Sequence, residues 1–198
     1  MSSWLENAIS RAESVDDWLK PVRSHSLALL RDAKWPNRKV EAWKYTSVAM
    51  LTDASYGAAA NAQAHLAPSS VSDIDGLECI DLLFLNGELQ SLPTELPEGL
   101  SIVAIDQASS TTRDWVKETF GKVKPSRHLF GLVNDVLAQA GVIIDVADNA
   151  VLPKPIRIVS RFSDNCEDHL RIVTRIGKQA KAVIIEDQGG EEASFNTC

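Results

Sequence analysis

The chain is poor in the residue types on which metal, redox and nucleophile chemistry rests. Its 198 residues include three cysteines, four histidines and two methionines. Cys79, Cys166 and Cys198 are odd in number and far apart, which excludes a disulfide framework and implies reduced thiols in a cytoplasmic setting. His25, His65, His128 and His169 stand at no metal-ligand spacing from one another. No run of lysine and arginine occurs, and the net charge is −7, so an electrostatic footprint for nucleic acid is missing. No apolar stretch reaches membrane-spanning length. The opening residues Met1–Glu6 carry neither a basic start nor an apolar segment of the secretory type. A phosphate-binding G-x-x-x-x-G-K-[ST] loop and a G-x-S-x-G nucleophile elbow are also missing.

Against this background one polar stretch is rich in large rings. Asn37-Arg38-Lys39-Val40-Glu41-Ala42-Trp43-Lys44-Tyr45-Thr46 follows Trp35-Pro36 and precedes the apolar Val48-Ala49-Met50-Leu51. Each ring can bury a large apolar area and still offer a polar atom. Arg38 and Lys44 can pair with Glu41 or lie across a ring. Arg38, Glu41, Trp43, Lys44 and Tyr45 are therefore the candidate site, read either as a clamp that pins a helical arm or as a recognition surface.

The rest of the chain divides by pattern. Residues 1–51 read as a helical arm. Ser3 and Glu6 fit a capping box, and Trp4, Leu5, Ala8, Ile9 and Ala12 share a helical face. A second helix starts near Lys20, because Pro21 is tolerated only in a first turn. Val22, Leu27, Leu29 and Leu30 supply its apolar side. Such an arm must pack on something else, either the rest of the chain or a second subunit. Residues 52–77 read as a loose connector, although Ala58-Ala59-Ala60 has helical propensity. Residues 78–140 read as a small α+β region: a strand over Cys79–Leu85, an Asn86-Gly87 hairpin turn, a return through Leu89 and Leu92, and a strand over Leu100–Ile105. Helices over Thr112–Phe120 and Ser126–Ala140 follow, the second with Gly141 at its C-cap.

From Val142 only strand signals occur: Val142–Val146, Ile156–Val159, Leu170–Ile176 and Ala182–Glu186. Ala150 and Ala180 lie one period apart in a faint repeat. Stacked rungs of short strands fit that register, and so does a sandwich. Ala193–Cys198 reads as a strand in progress, so the expectation is a truncated chain.

Four further motifs follow the Arg38-x-x-Glu41-x-Trp43-Lys44-Tyr45-Thr46 signature in order: Phe84-Leu85-Asn86-Gly87, Phe130-x-x-Val133-Asn134, Gly141-Val142-Ile143-Ile144-x-Val146 and Pro155-Ile156-x-Ile158. Together they resemble the N-terminal half of the SufD family, scaffold proteins of the SUF iron–sulfur cluster assembly system. The resemblance implies a mixed α and β fold. The helical arm and α+β region would lead into the first rungs of a parallel β-helix over residues 141–198, in a chain about half the family's length. It also implies SufB-like and SufC-like partners, held mostly through the missing C-terminal half, with the ATPase SufC supplying ATP hydrolysis. The chain itself would be a non-catalytic, cytoplasmic scaffold without a cofactor, and the iron–sulfur cluster would be handled by the complete complex.

Other candidate chemistry is thin. Cys166 and His169 form a C-x-x-H pair expected to be solvated beside the turn Ser163-Asp164-Asn165. Cys79 is expected to be a small buried hydrophobe. Glu186–Glu192 reads as a solvated acidic turn, and Ser126-Arg127-His128 as helix capping. Two alternatives to the scaffold are a β-helical carbohydrate-active enzyme, whose carboxylate pair would be Asp145 and Glu186, and a stand-alone adaptor using the Trp-rich arm.

Overall fold

A computed structural model describes residues 2–58, 74–125, 127–163, 165–190 and 195–198. The chain forms two compact units. One comprises Met1–Ser55, Ser109–Gln139 and Thr197; the other comprises Tyr56–Ala108, Ala140–Asn196 and Cys198.

Four α-helices are found among the described residues, all in the first unit: α1 (Ser3–Glu13), α2 (Lys20–Asp32), α3 (Ser110–Thr119) and α4 (Leu129–Leu137). The helical arm thus packs on later residues of its own chain, with α1 and α2 both against α4. In α1 the buried residues are Trp4, Leu5, Ala8 and Ala12, the face predicted from their spacing. The capping box does not form. Ser2 is the N-cap, and the hydroxyls of Ser2 and Ser3 donate instead to the Thr52 carbonyl at 2.5 and 3.2 Å. Pro21 does occupy the first turn of α2. The buried side of α2, however, is Arg23, Ser26 and Leu30, while Val22, Leu27 and Leu29 are only half-buried. The expected apolar stripe gives way because α4 presents polar groups to this helix.

α4 has buried residues almost all round, from Leu129 to Leu137. His128 caps its start, with Nδ1 accepting the Gly131 N–H at 3.1 Å. The helix stops at Leu137, short of the predicted Ala140, and Ala138 closes it through an N–H donated to the Asn134 carbonyl. Gly141 is therefore not its C-cap.

The second unit is built from strands, numbered β1 (Gly57–Ala58), β2 (Ile80–Leu85), β3 (Glu88–Ser91), β4 (Leu100–Ala104), β5 (Ala140–Val146), β6 (Ile156–Phe162), β7 (Cys166–Ile176), β8 (Ile184–Gly190) and β9 (Phe195–Thr197). They form two mixed sheets that do not close into a barrel: β1-β7-β5-β4, with β9 also on β7, and β3-β2-β6-β8. Asn86 and Gly87 turn the β2–β3 hairpin at φ 47° and 79°, as a type I′ turn requires. The connector reading needs correction at its ends. Gly57–Ala58 is a strand parallel to Cys166–Glu167, and Ile74 bridges Leu77. Ala58 is thus in a strand rather than a helix; residues 59–73 lie outside the described residues. The acidic turn is also corrected, because Glu186–Gly190 is strand β8. Glu191 and Glu192 lie outside the described residues.

β5 and β7 run parallel, from Ala140 beside Leu170 to Val146 beside Ile176. β6 and β8 do the same, from Ile156 beside Ile184 to Phe162 beside Gly190. Between these pairs the turns also stack. Asn149 and Gln179 share a positive φ of 63° and 59°. The Lys181 N–H donates to the Ala150 carbonyl at 2.8 Å, and Asp148 Oδ1 accepts the Lys178 N–H at 2.7 Å. The repeat read around Ala150 and Ala180 is this stacked turn. Inside lie Leu82, Phe84, Ile102, Val142, Ile144, Ile156, Ile158 and Leu170, all buried in one apolar cluster.

Gly141 lies inside β5 because the neighbouring strand is too close for a side chain. A Cβ there would stand 1.8 Å from the Arg171 carbonyl oxygen, and φ is +153°. Gly141→Ala should therefore cost about 3 kcal/mol in urea unfolding. Gly189→Ala, which meets only Arg161 at 3.5 Å, should stay within about 0.5 kcal/mol. Equal losses from the two would show that the strand contact at Gly141 is relieved at little cost.

Candidate functional site

The stretch around Trp43 is a succession of tight turns. Asn37 Oδ1 accepts the Lys39 N–H at 2.9 Å, the Asn37 carbonyl accepts the Val40 N–H at 3.0 Å, and Glu41–Trp43 forms a 3-10 turn. These turns send the two rings of the motif in different directions. Trp43 meets Phe130 of α4 edge-on, with centroids 5.4 Å apart. Trp4 and Trp35 reach the same ring at 6.1 and 6.3 Å, and each other at 6.0 Å. Phe130 is thus the common partner of three indoles from separate parts of the first unit. Such pairings add roughly 0.5–1.5 kcal/mol each beyond area burial. Tyr45, by contrast, is 89% exposed. Lys44 places its ammonium 5.3 Å from the Tyr45 ring centre. Arg38, Glu41 and Lys44 are exposed, and none of them forms an ion pair with another described residue. The ring contact open to Lys44 is therefore made, and the pairing with Glu41 is not.

A second cluster was not legible from the sequence. Asp135 of α4 is fully buried. Its Oδ2 accepts the Ser26 hydroxyl at 2.9 Å and lies 2.6 Å from the Lys124 ammonium. Arg23 donates to the carbonyls of Asp135 and Ala138 at 2.6 and 2.5 Å, and it also holds the Asp17 carboxylate. Its guanidinium thereby supplies donors to the C-terminal carbonyls of α4, which have no partner within the helix. Amphipathic reading assigns a charged residue such as Arg23 to solvent. The available signal was only its helical spacing with Ser26 and Leu30.

The C-x-x-H segment is corrected most strongly. Cys166, Glu167, Asp168 and His169 are all buried at the start of β7, not solvated beside a turn. Side chains alternate along a strand, so Cys166 and His169 face opposite ways and do not converge on one ion. His169 Nε2 lies 2.8 Å from Glu167 Oε1. Burial, assisted by the Asp168 and Glu167 charges, pushes the Cys166 thiol up to about 11, which keeps it neutral. Burial also raises Asp168, against a smaller downward pull from His169. The Asp168 carboxylate packs on the Asn86-Gly87 turn, where a Cβ on Gly87 would lie 2.0 Å from Oδ1. Cys79 is half-buried rather than buried. Among the described residues no group of three or more His, Cys, Asp and Glu side chains could hold a metal ion.

Comparison with known families matches residues 5–158 to the SufBD protein N-terminal region. The chain belongs to the SufBD family. The matched span includes the Trp43 turn, Phe130 and strands β1 to β5, and it runs into β6. No curated protein matches the chain. The family is one of the SUF iron–sulfur assembly system.

In this SufBD chain the carboxylates of the carbohydrate reading lie apart. Asp145 is on β5 of one sheet and Glu186 on β8 of the other. Asp145 is engaged through both oxygens by Arg175. Asp187, next to Glu186, is held below the usual carboxylate range by hydrogen bonds from Arg161 and Arg157. No helix among the described residues is long and apolar enough to cross a membrane.

Trp43→Ala should destabilise the first unit by about 2 kcal/mol in chemical denaturation through loss of the Phe130 contact. Tyr45→Ala should stay within about 0.5 kcal/mol. Equal effects would show that the two rings have equivalent roles. Asp168 provides a pH test. Its folded pKa lies above the unfolded value, so stability declines as pH rises from the ordinary carboxylate range through the folded pKa. Asp168→Asn should therefore be more stable than the parent at neutral pH. The gap should close on acidification below about pH 3.5, and a gap independent of pH would contradict the assignment.

Proposed function

We propose that this SufBD chain is SufD-like and serves as a scaffold region in iron–sulfur cluster assembly. The observation that carries the reading is the family match over residues 5–158. The SufD-like spelling of the motif from Arg38 to Thr46 favours SufD over its paralogue SufB. In this reading the parallel pairs β5/β7 and β6/β8 are the first coils of a β-helix. Two observations support it: the unbroken parallel register of β5 on β7 and of β6 on β8, and the matched positive φ of Asn149 and Gln179.

The chain performs no turnover of its own. The cluster is cargo of the assembled complex, ATP hydrolysis comes from a SufC-like ATPase, and the setting is the cytoplasm. The aromatic cluster at Phe130 and the buried Asp135 network hold the helical unit in shape. The test is affinity purification of the tagged protein that carries this chain from its own cells. SufB-like and SufC-like proteins should co-purify in near-stoichiometric amounts. Recovery without either would end the scaffold reading.

A further inference from the structure

One surface of the first unit is left unexplained by clamp and scaffold alike. Residues 34–50 contain four cations, Lys34, Arg38, Lys39 and Lys44, against the single acid Glu41. Acids outnumber cations 27 to 20 in the chain, and no lysine or arginine occurs between Lys44 and Arg113. The basic character is therefore local. Some other cations of the same unit meet nearby acids, Lys20 with Asp16, Arg31 with Glu13 and Lys124 with Asp135, whereas Lys122 and Arg127 form no ion pair with any described residue. Lys34, Arg38, Lys39 and Lys44 are exposed and form no ion pair with any described residue.

The same segment exposes apolar and aromatic surface. Tyr45 and Met50 are 89% and 83% exposed, and Val40 is 45% exposed. Between the two ends of the segment lies a cavity of about 250 Å³, lined by Trp35, Pro36, Arg38, Val48, Ala49 and Thr52. That is smaller than the roughly 300–1,000 Å³ of small-molecule sites and suits one inserted side chain. Trp35, one of its lining residues, packs against Trp4 and Phe130. Trp35 and Arg38 at the cavity, with Tyr45 and Met50 exposed on the same segment, have the composition of a protein-binding centre. Arg38 at the cavity and the cations Lys34, Lys39 and Lys44 of the same segment, none paired with a described residue, select and steer a partner of opposite charge.

We propose that the outer surface of residues 34–50 docks an acidic protein segment that seats one apolar side chain beside Trp35. A nucleic acid fits less well. Four cations in a chain of net charge −7 supply little counterion release, and the cavity answers to a side chain. The proposal extends the scaffold reading by giving the chemistry of one partner, and it holds for either SufBD paralogue.

The five tryptophans provide the readout, as indole N–H signals in proton–nitrogen NMR of the intact chain. The probes are three acidic nonapeptides, with four glutamates or aspartates on each side of a central leucine, methionine or phenylalanine. At least one should shift the Trp35 indole signal with a Kd tighter than about 1 mM. Replacing its central residue with glycine should abolish the shift. The double variant Arg38→Glu, Lys39→Glu should weaken binding about tenfold or more, with the Trp4 and Trp18 signals unmoved as proof of folding. No shift with any of the three peptides, or binding that survives the charge reversal, would overturn the proposal. So would tighter binding of a single-stranded oligouridine. None of these failures bears on co-purification with SufB-like and SufC-like proteins, so the two readings are judged separately.

Discussion

Parallel backbone pairing of β5 with β7 and of β6 with β8 governs the strand-built unit. Parallel strands cannot be joined by a tight turn, so each must travel through an intervening segment before it meets its neighbour. Here that segment is another strand and a turn, and the turns stack as the strands do. The arrangement leaves little room where backbones cross. Gly141 and Gly177 stand where a Cβ would meet the backbone of Arg171 and of Asp148. Ion pairs then tie successive segments, Asp145 to Arg175 at paired positions and Asp187 diagonally to Arg157 and Arg161.

The helical unit obeys a different constraint. α4 is short and buried almost all round, so its end groups need partners that water cannot supply. Arg23 donates to two of its last carbonyls, and Ser26 and Lys124 satisfy the Asp135 carboxylate. The other side of α4 carries Phe130, on which three indoles converge. One face of the helix is thus held by charge and hydrogen bonds and the other by rings. The SufBD motif around Trp43 contributes one of those rings and leaves its cations and Tyr45 outside. A single stretch can therefore support the fold with one side chain and remain open for recognition with the others.

The sequence by itself determined the elements with strong local physics. The Asn86-Gly87 hairpin, Pro21 in the first turn of α2, the α1 face and the strands after residue 140 all follow from local dihedral preference or periodicity. So did the family, because ordered motifs survive as spelling. Only the tertiary structure decided which polar residues go inside. Arg23, Asp135, Asp168 and His169 are ordinary surface types, and their burial depends on partners 100 residues away or across a sheet, as Arg23 and Asp135 illustrate at a separation of 112. The same holds for Gly141. A glycine after an apolar helix reads as a cap, yet here it admits the Arg171 carbonyl of a neighbouring strand. Local propensity is written in adjacent residues, whereas close approach and charge satisfaction are set by whatever the fold brings alongside.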